Sequence, residues 1–392
     1  MQDSHVSRAN GPSGIDGDRC LHVMITANAA WNIWNFRRPI VESMLAAGHR
    51  VTILAPVDDM LSELQRIGCT VMPLQMDVRG LNPVADLALL WRFRTIFRQS
   101  RPDVVLSFTI KNNVFGGLAA RMSGVPFVPN VTGLGTAFLS GRLLQRVAET
   151  LYRLAFQSLS VVFFENDDDR ALFETRRMLR PGQAQVLPGA GINLTHFAAV
   201  PMPESGPEGP TFLMVARLLR DKGVIEYVEA ARLIRAENPH VRFQLLGPAG
   251  VQNRTAIHMD EVQGWVADGI IDYLGTRSDV RPTLQLADCV VLPSYREGAP
   301  RTLIEASAMG RPVIATDVAG CRAVVDADVT GFMCQPRDAA SLAEAMRRFL
   351  RLSSEERAEM GAAARRKMER EFDEKIVVTA YHQAVRRATA QE

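Results

Sequence analysis

Two trains of short apolar runs, each run followed by a stretch of helical period, organise this chain. In the first half the runs lie at 21–27 (LHVMITA), 51–55, 70–74, 103–108, 126–131 and 160–164. In the second half they lie at 211–216 (TFLMVA), 241–247, 270–275, 289–293, 312–316 and 331–336. Runs that stay apolar without alternating read as strands buried on both faces, and the amphipathic stretches between them as the helices that cover those faces. In one such stretch Phe36, Ile40, Val41, Met44 and Leu45 fall on one face, which predicts a single long helix. The fold class is therefore α/β: two doubly wound, Rossmann-like parallel-sheet domains facing a cleft at the carboxyl ends of their strands.

The Pro- and Gly-rich stretch 187–209 divides the two trains. The expected organisation is a disordered polar arm over 1–19, a first domain over 20–186, the linker 187–209 and a second domain over 210–372. A helix over 373–392 follows, able to cross back to the first domain, and Ser354 is the expected N-cap of the helix before it.

Composition narrows the class. At 392 residues the chain exceeds one ordinary core, and 47% hydrophobic with 22% charged residues is the balance of a soluble globular protein. Five cysteines, odd in number and without a C-x2-C pair, read as buried thiols in a reducing compartment, and neither as disulfides nor as a metal site. No apolar run approaches the ~20 residues that span a bilayer, and the first 18 residues lack the apolar core of a signal peptide. These features predict a cytoplasmic protein. Net charge is only +2, yet residues 79–153 carry ten basic against three acidic side chains.

Candidate chemistry concentrates between Pro293 and Thr316. Glu297, Gly298, Ala299 and Pro300 form a tight turn, and the amides of Arg301, Thr302 and Leu303 would open a helix toward an anion. Glu305 lies on the first turn of that helix, eight positions after Glu297. A Glu pair at this spacing arises by chance about once in a chain this acidic, so its context carries the weight. The context includes Arg217 and Lys222, which follow the run 211–216 and can neutralise a diphosphate. Rival nucleotide folds lose their loops: after Ala27 the chain reads N-A-A-W-N, with no G-x-G-x-x-G, and there is no P-loop. Asp167, Asp168 and Asp169 read as the acidic start of a helix and not as a metal motif.

Together these residues resemble the donor-binding segment of family-4 retaining glycosyltransferases with the GT-B fold. The bacterial subgroup that builds capsule, exopolysaccharide and lipid-linked oligosaccharides is closest, and the resemblance runs from Leu21 to the end. It implies that Glu297 binds donor-sugar hydroxyls or supports an oxocarbenium charge, that Glu305 accepts from the ribose, and that Arg217 and Lys222 hold the diphosphate. The amides after Gly298 would take the distal phosphate, and Gly247 belongs to the same donor side. Gly189 and Gly191 are either a flexible turn at the domain junction or a close backbone approach to the diphosphate. The co-substrate would be a nucleotide diphosphate sugar, uridine-based, with no metal or other cofactor, and transfer would retain configuration.

The first half would carry the acceptor, a polyprenyl-diphosphate-linked or simple saccharide. Asn35 and Arg37 sit in W-N-F-R, Thr109, Lys111 and Asn113 in T-I-K-N-N, and Thr132 and Gly133 in T-G-L-G, all of them similar to the subgroup. Lys111 is the leading acceptor-side residue. The first loop departs from many relatives, which have a glycine pair there. Two arginine-bearing helical patterns within 79–153 suggest a face that meets anionic membrane; nucleic acid is disfavoured, because aromatic residues are not interleaved with the charges. Two other functions stay open: a sugar-nucleotide epimerase or hydrolase of the same fold, and a non-catalytic nucleotide-sugar-binding subunit.

Overall fold

The computed structural model describes residues 19–78, 82–133, 142–203, 209–251 and 253–390. Nearly all of the N-terminal arm, and Leu134 and Gly135 of the T-G-L-G loop, lie outside them. The first sheet has seven strands: β1 (His22–Thr26), β2 (Arg50–Ala55), β3 (Thr70–Pro73), β4 (Val104–Phe108), β5 (Phe127–Val131), β6 (Val162–Phe164) and β7 (Ala184–Val186). The second has six: β8 (Thr211–Val215), β9 (Arg242–Leu246), β10 (Asp272–Tyr273), β11 (Cys289–Leu292), β12 (Val313–Thr316) and β13 (Gly331–Cys334). Every paired neighbour is parallel, in the orders β3-β2-β1-β4-β5-β6-β7 and β10-β9-β8-β11-β12-β13. Parallel strands need crossover helices on both faces, which is why β1, β4 and β5 are buried at every position. Strand order reverses between β1 and β4 and between β8 and β11, and ligands of such sheets bind at these reversals.

The chain passes between the domains twice, and the two passages are stitched together. Ile192 donates to the Phe372 carbonyl at 2.7 Å and accepts from the Glu374 amide at 3.1 Å. Much of the Pro- and Gly-rich stretch is packed: Ile192 and Phe197 join the second core, and the buried Arg311 guanidinium holds the Val200 and Pro201 carbonyls. The helix Glu374–Thr389 returns to the first domain, burying Val377, Tyr381 and Val385 in its core. Tyr381 stacks near Phe108 and Phe163 and accepts from the Asn130 amide at 3.0 Å.

Three local expectations need correction. The single helix after β1 is two, Ala30–Phe36 and Arg38–Ala46, because Arg37 leaves helical geometry (φ −125°, ψ 2°) just before Pro39. Ser353, and not Ser354, caps the helix Ser354–Lys367, exchanging hydrogen bonds with Glu356 in a capping box. In the helix Arg142–Phe156, one of the two arginine-bearing patterns, the charged side chains do not all face outward. Glu149 is buried and Arg153 binds the Arg176 and Arg177 carbonyls, while Val147 and Leu154 face outward. The four cysteines beyond Cys20 are buried and all five are free.

Replacing Tyr381 with Ala empties an aromatic site shared by the C-terminal helix and the first sheet. Urea denaturation should show the first domain weakened by about 4 kcal/mol, the range of large buried aromatics.

Candidate active site between the two domains

The carboxyl end of β8 turns into Arg217 and then into a short 3-10 turn carrying Lys222. The carboxyl end of β11 runs through Glu297 into the helix Arg301–Ala308. These elements flank the second sheet's order reversal and line a cavity of about 470 Å³ with Arg217, Lys222, Glu297, Ala299, Pro300, Arg301 and Thr302. Lys222 Nζ reaches Glu297 Oε1 at 2.5 Å, and Arg301 Nε reaches Glu305 Oε1 at 2.8 Å. Burial pushes the Glu305 carboxyl upward, opposed by Arg301. The Arg217 guanidinium is exposed and has no carboxylate within ion-pair distance among the described residues.

The helix opening is narrower than the sequence suggests. The Leu303 amide is taken by the Pro300 carbonyl at 3.0 Å and its side chain is core, so only the Arg301 and Thr302 amides lack an acceptor among the described residues. The Thr302 hydroxyl donates to the Val215 carbonyl at 2.9 Å, tying the helix to β8. Gly191 lines the cavity, and its carbonyl accepts from Arg301 Nη1 at 3.2 Å. At φ +69° a Cβ there would stand 2.5 Å from Glu374 Cα, so the glycine serves the junction as well as the cavity wall. Gly189 is pressed against the Ala299 methyl, and Gly247 against the Ala216 carbonyl, outside the cavity lining.

The first domain supplies the opposite wall through Asn32, Phe36, Arg37, Thr132 and Glu165. The break after Phe36 turns Arg37 inward: it is 3% exposed, lies 4.5 Å over the Phe108 ring and donates from Nη2 to Glu165 Oε1 at 2.9 Å. Its Nε and Nη1 are buried with no hydrogen-bond partner among the described residues. Burial drives the Glu165 carboxyl upward against the opposing pull of Arg37. Asn35 points elsewhere: it is exposed and bonds back to the Trp31 carbonyl, whereas Asn32, one turn earlier on the face of Phe36, reaches the cavity. Glu165 and Asn32 escaped the sequence reading. For Glu165 the available signal was a carboxylate directly after the apolar run 160–164.

A second cavity, about 500 Å³, adjoins the first and is lined by Asn28, Thr109, Lys111, Thr132, Gly133 and Arg217. Arg217 and Thr132 are common to both. Thr109 sits at φ +73°, a strained conformation for a β-branched residue, and a π-turn over Asn112–Gly116 follows. Lys111 Nζ is held by Asp86 Oδ1 at 2.7 Å. Asn113 does not line the cavity; it is buried and donates to the Asn130 carbonyl, fastening the turn after β4 to β5.

Two of the three aspartates have a role not foreseen, facing the second domain, while Asp167 pairs with Arg170 of its own helix. Asp168 accepts from Arg322 at 2.6 Å and Asp169 from Arg296 at 3.5 Å, while Asn166 donates to the Gly298 carbonyl at 3.2 Å.

Residues 33–190 match the family model described as glycosyl transferase 4-like domain, and residues 209–351 the model described as glycosyl transferases group 1. The chain is 27% identical over 339 residues to the N,N'-diacetylbacillosaminyl-diphospho-undecaprenol alpha-1,3-N-acetylgalactosaminyltransferase of Campylobacter jejuni, covering 83% of this chain and 88% of that protein. It is 25% identical over 281 residues to the UDP-Gal:alpha-D-GlcNAc-diphosphoundecaprenol alpha-1,3-galactosyltransferase of Escherichia coli, covering 68% of this chain and 71% of the other. Among solved structures, Alr3699/HepE of Anabaena in complex with UDP superposes with a TM-score of 0.75 at 16% identity, over 93% of this chain and 99% of the other. A glycosyltransferase of Rickettsia africae superposes at 0.76 and 16% identity, over 96% and 100%. These superpositions establish the GT-B fold.

Arg37→Met should leave Glu165 buried without its cation and lower stability by about 3 kcal/mol in urea denaturation. Adding Glu165→Leu should recover more than half of that loss.

Proposed function

We propose that this chain, which belongs through both of its domains to the glycosyltransferases, moves a hexose or N-acetylhexosamine from a uridine diphosphate sugar to an undecaprenyl-diphosphate-linked saccharide during surface polysaccharide assembly. The observation that carries this reading is the convergence of Arg217, Lys222, Glu297 and the open helix start on one interdomain cavity that meets a second cavity at Arg217. Support for the substrate classes comes from the relatives, whose names specify N-acetylgalactosaminyl or galactosyl transfer onto diphosphoundecaprenol-linked sugars. The adjoining second cavity favours transfer to an acceptor over an epimerase, a hydrolase or a passive binding subunit, none of which needs a separate acceptor chamber.

In this reading the diphosphate docks on Arg217, Lys222 and the Arg301 and Thr302 amides. Charge-assisted bonds contribute about 1.5–3 kcal/mol each, and a preorganised cluster of them favours the leaving diphosphate without reorganising at the moment of reaction. Glu305 accepts from the ribose and Glu297 from the sugar, close to the charge that develops at the anomeric carbon. Transfer retains configuration: the acceptor hydroxyl arrives on the face the diphosphate leaves, and its proton passes to a phosphate oxygen of the departing group. Lys111 and Arg217 orient the acceptor's own diphosphate from the second cavity. No metal is assigned a part in these steps.

We further place the protein at the anionic inner face of the plasma membrane. Among the described residues no helix is long and apolar enough to cross a membrane. The helix Pro83–Ser100 instead exposes Val84, Leu87 and Trp91 along one stripe, beside exposed Arg92 and Arg98. Val147 and Leu154 are exposed on the helix Arg142–Phe156. Apolar side chains that enter the headgroup layer beside arginines suit such a surface.

Glu297→Gln and Lys222→Ala should each slow sugar transfer by about a hundredfold or more, with the thermal midpoint displaced by only a few degrees. Near-normal transfer by either variant removes these assignments. The wild-type protein should be retained on phosphatidylserine-rich vesicles at low salt. Changing both Arg92 and Arg98 to Gln should weaken retention roughly thirtyfold, the equivalent of about 1 kcal/mol per arginine.

A further inference from the structure

The steps above leave one wall of the donor cavity unused. Glu165 follows β6 in the first domain, is 8% exposed, and lines the cavity opposite Lys222 and Glu297. Arg37 occupies its Oε1, and the guanidinium itself lies over the Phe108 ring. The other oxygen stands beside the donor-domain turn: a Cβ built on Gly298 would lie 3.2 Å from Glu165 Oε2 and 2.7 Å from the Thr132 carbonyl. Glu297, which precedes that glycine, belongs to the opposite domain and lines the same cavity. Two carboxylates from two domains thus flank a single turn.

We propose that Glu165 is a specificity-determining residue that accepts hydrogen bonds from hydroxyls of the transferred sugar, reading it from the first domain while Glu297 reads it from the second. The inference rests on the transfer reading above and names a further side chain for it. A carboxylate repels a diphosphate, so the part of the donor that suits Glu165 is the neutral polyhydroxyl ring. The anionic part goes to the cations Arg217 and Lys222 across the cavity. Glu165 has already lost most of its water, and burial raises its carboxyl accordingly. A dehydrated acceptor left unpaired penalises a sugar whose hydroxyl is missing or inverted, which is how buried polar groups discriminate strongly. Arg37 is the positioning residue, because its Nη2 holds Glu165 Oε1 while the Phe108 ring packs against the guanidinium. Glu165 meets the Gly298 turn across the domain interface, which Asn166 on the Gly298 carbonyl and Arg322 on Asp168 also bridge. Recognition of the sugar therefore depends on both domains together.

The test uses the full chain as wild type, Glu165→Gln and Glu165→Asp, with titration calorimetry against UDP alone and against UDP-glucose, UDP-galactose, UDP-N-acetylglucosamine and UDP-N-acetylgalactosamine. Wild type should bind one of the four sugars at least tenfold more tightly than its C4 epimer. Glu165→Gln should bind UDP with the wild-type Kd but lose at least tenfold of that epimer preference, and Glu165→Asp should keep the UDP affinity and part of the preference. Unchanged preference in Glu165→Gln overturns the proposal while leaving the transfer reading intact. Equal losses for UDP and for every UDP-sugar assign Glu165 a purely structural role and overturn it too. Wild-type protein that binds none of the five ligands overturns both readings.

Discussion

The two hydrogen bonds that join Ile192 to Phe372 and Glu374 are the constraint on which the rest of the architecture depends. They clamp the outgoing and returning passages of the chain together. The C-terminal helix can then dock on the first core while the segment before it stays with the second. With the passages fixed side by side, the carboxyl ends of β8 and β11 face those of β1 and β4 across a narrow gap. A parallel sheet delivers its loops, and the free amides of the helices that follow, to that edge. The cleft is thus a consequence of chain crossing as much as of the loops that line it.

Charge in and beside this gap is arranged in satisfied pairs. Lys222 rests on Glu297 and Arg301 on Glu305, each pair partly shielded from water. Leaving any of these groups buried and unpaired is costly. Cross-pairing therefore stabilises these side chains where they stand. Arg217 departs from this scheme: it is exposed where the two cavities meet and pairs with no carboxylate among the described residues.

Much of the fold was legible because parallel strands covered on both faces must be apolar throughout, and twelve of the thirteen strands announce themselves as such runs. The exception, β7, is an edge strand of three half-exposed or exposed residues, A-Q-V, with no hydrophobic signature. That Arg217, Lys222, Glu297, Arg301 and Thr302 share one cavity wall was also legible in part, because a turn, a helix start and charged residues adjoin in sequence. Placement of the first-domain residues was harder to read. Asn35 and Asn32 are chemically alike and differ only in helical phase, and the break at Arg37 that sets the phase depends on Pro39. Asn113 looked like a ligand group but is consumed by the Asn130 carbonyl. Leu303 offered an amide that the Pro300 carbonyl had already claimed. Glu165 became visible only when a carboxylate from one domain was seen to meet Gly298 of the other.

The ion pairs between Arg322 and Asp168 and between Arg296 and Asp169 lie at the rim of the cleft, with both Arg322 and Asp168 about half exposed. Attractions between exposed charges weaken as dissolved ions crowd around them, over a Debye length of about 8 Å at physiological strength. These contacts resist any parting of the two lobes. The ionic strength of the medium thereby gains a grip on how firmly the two domains hold together.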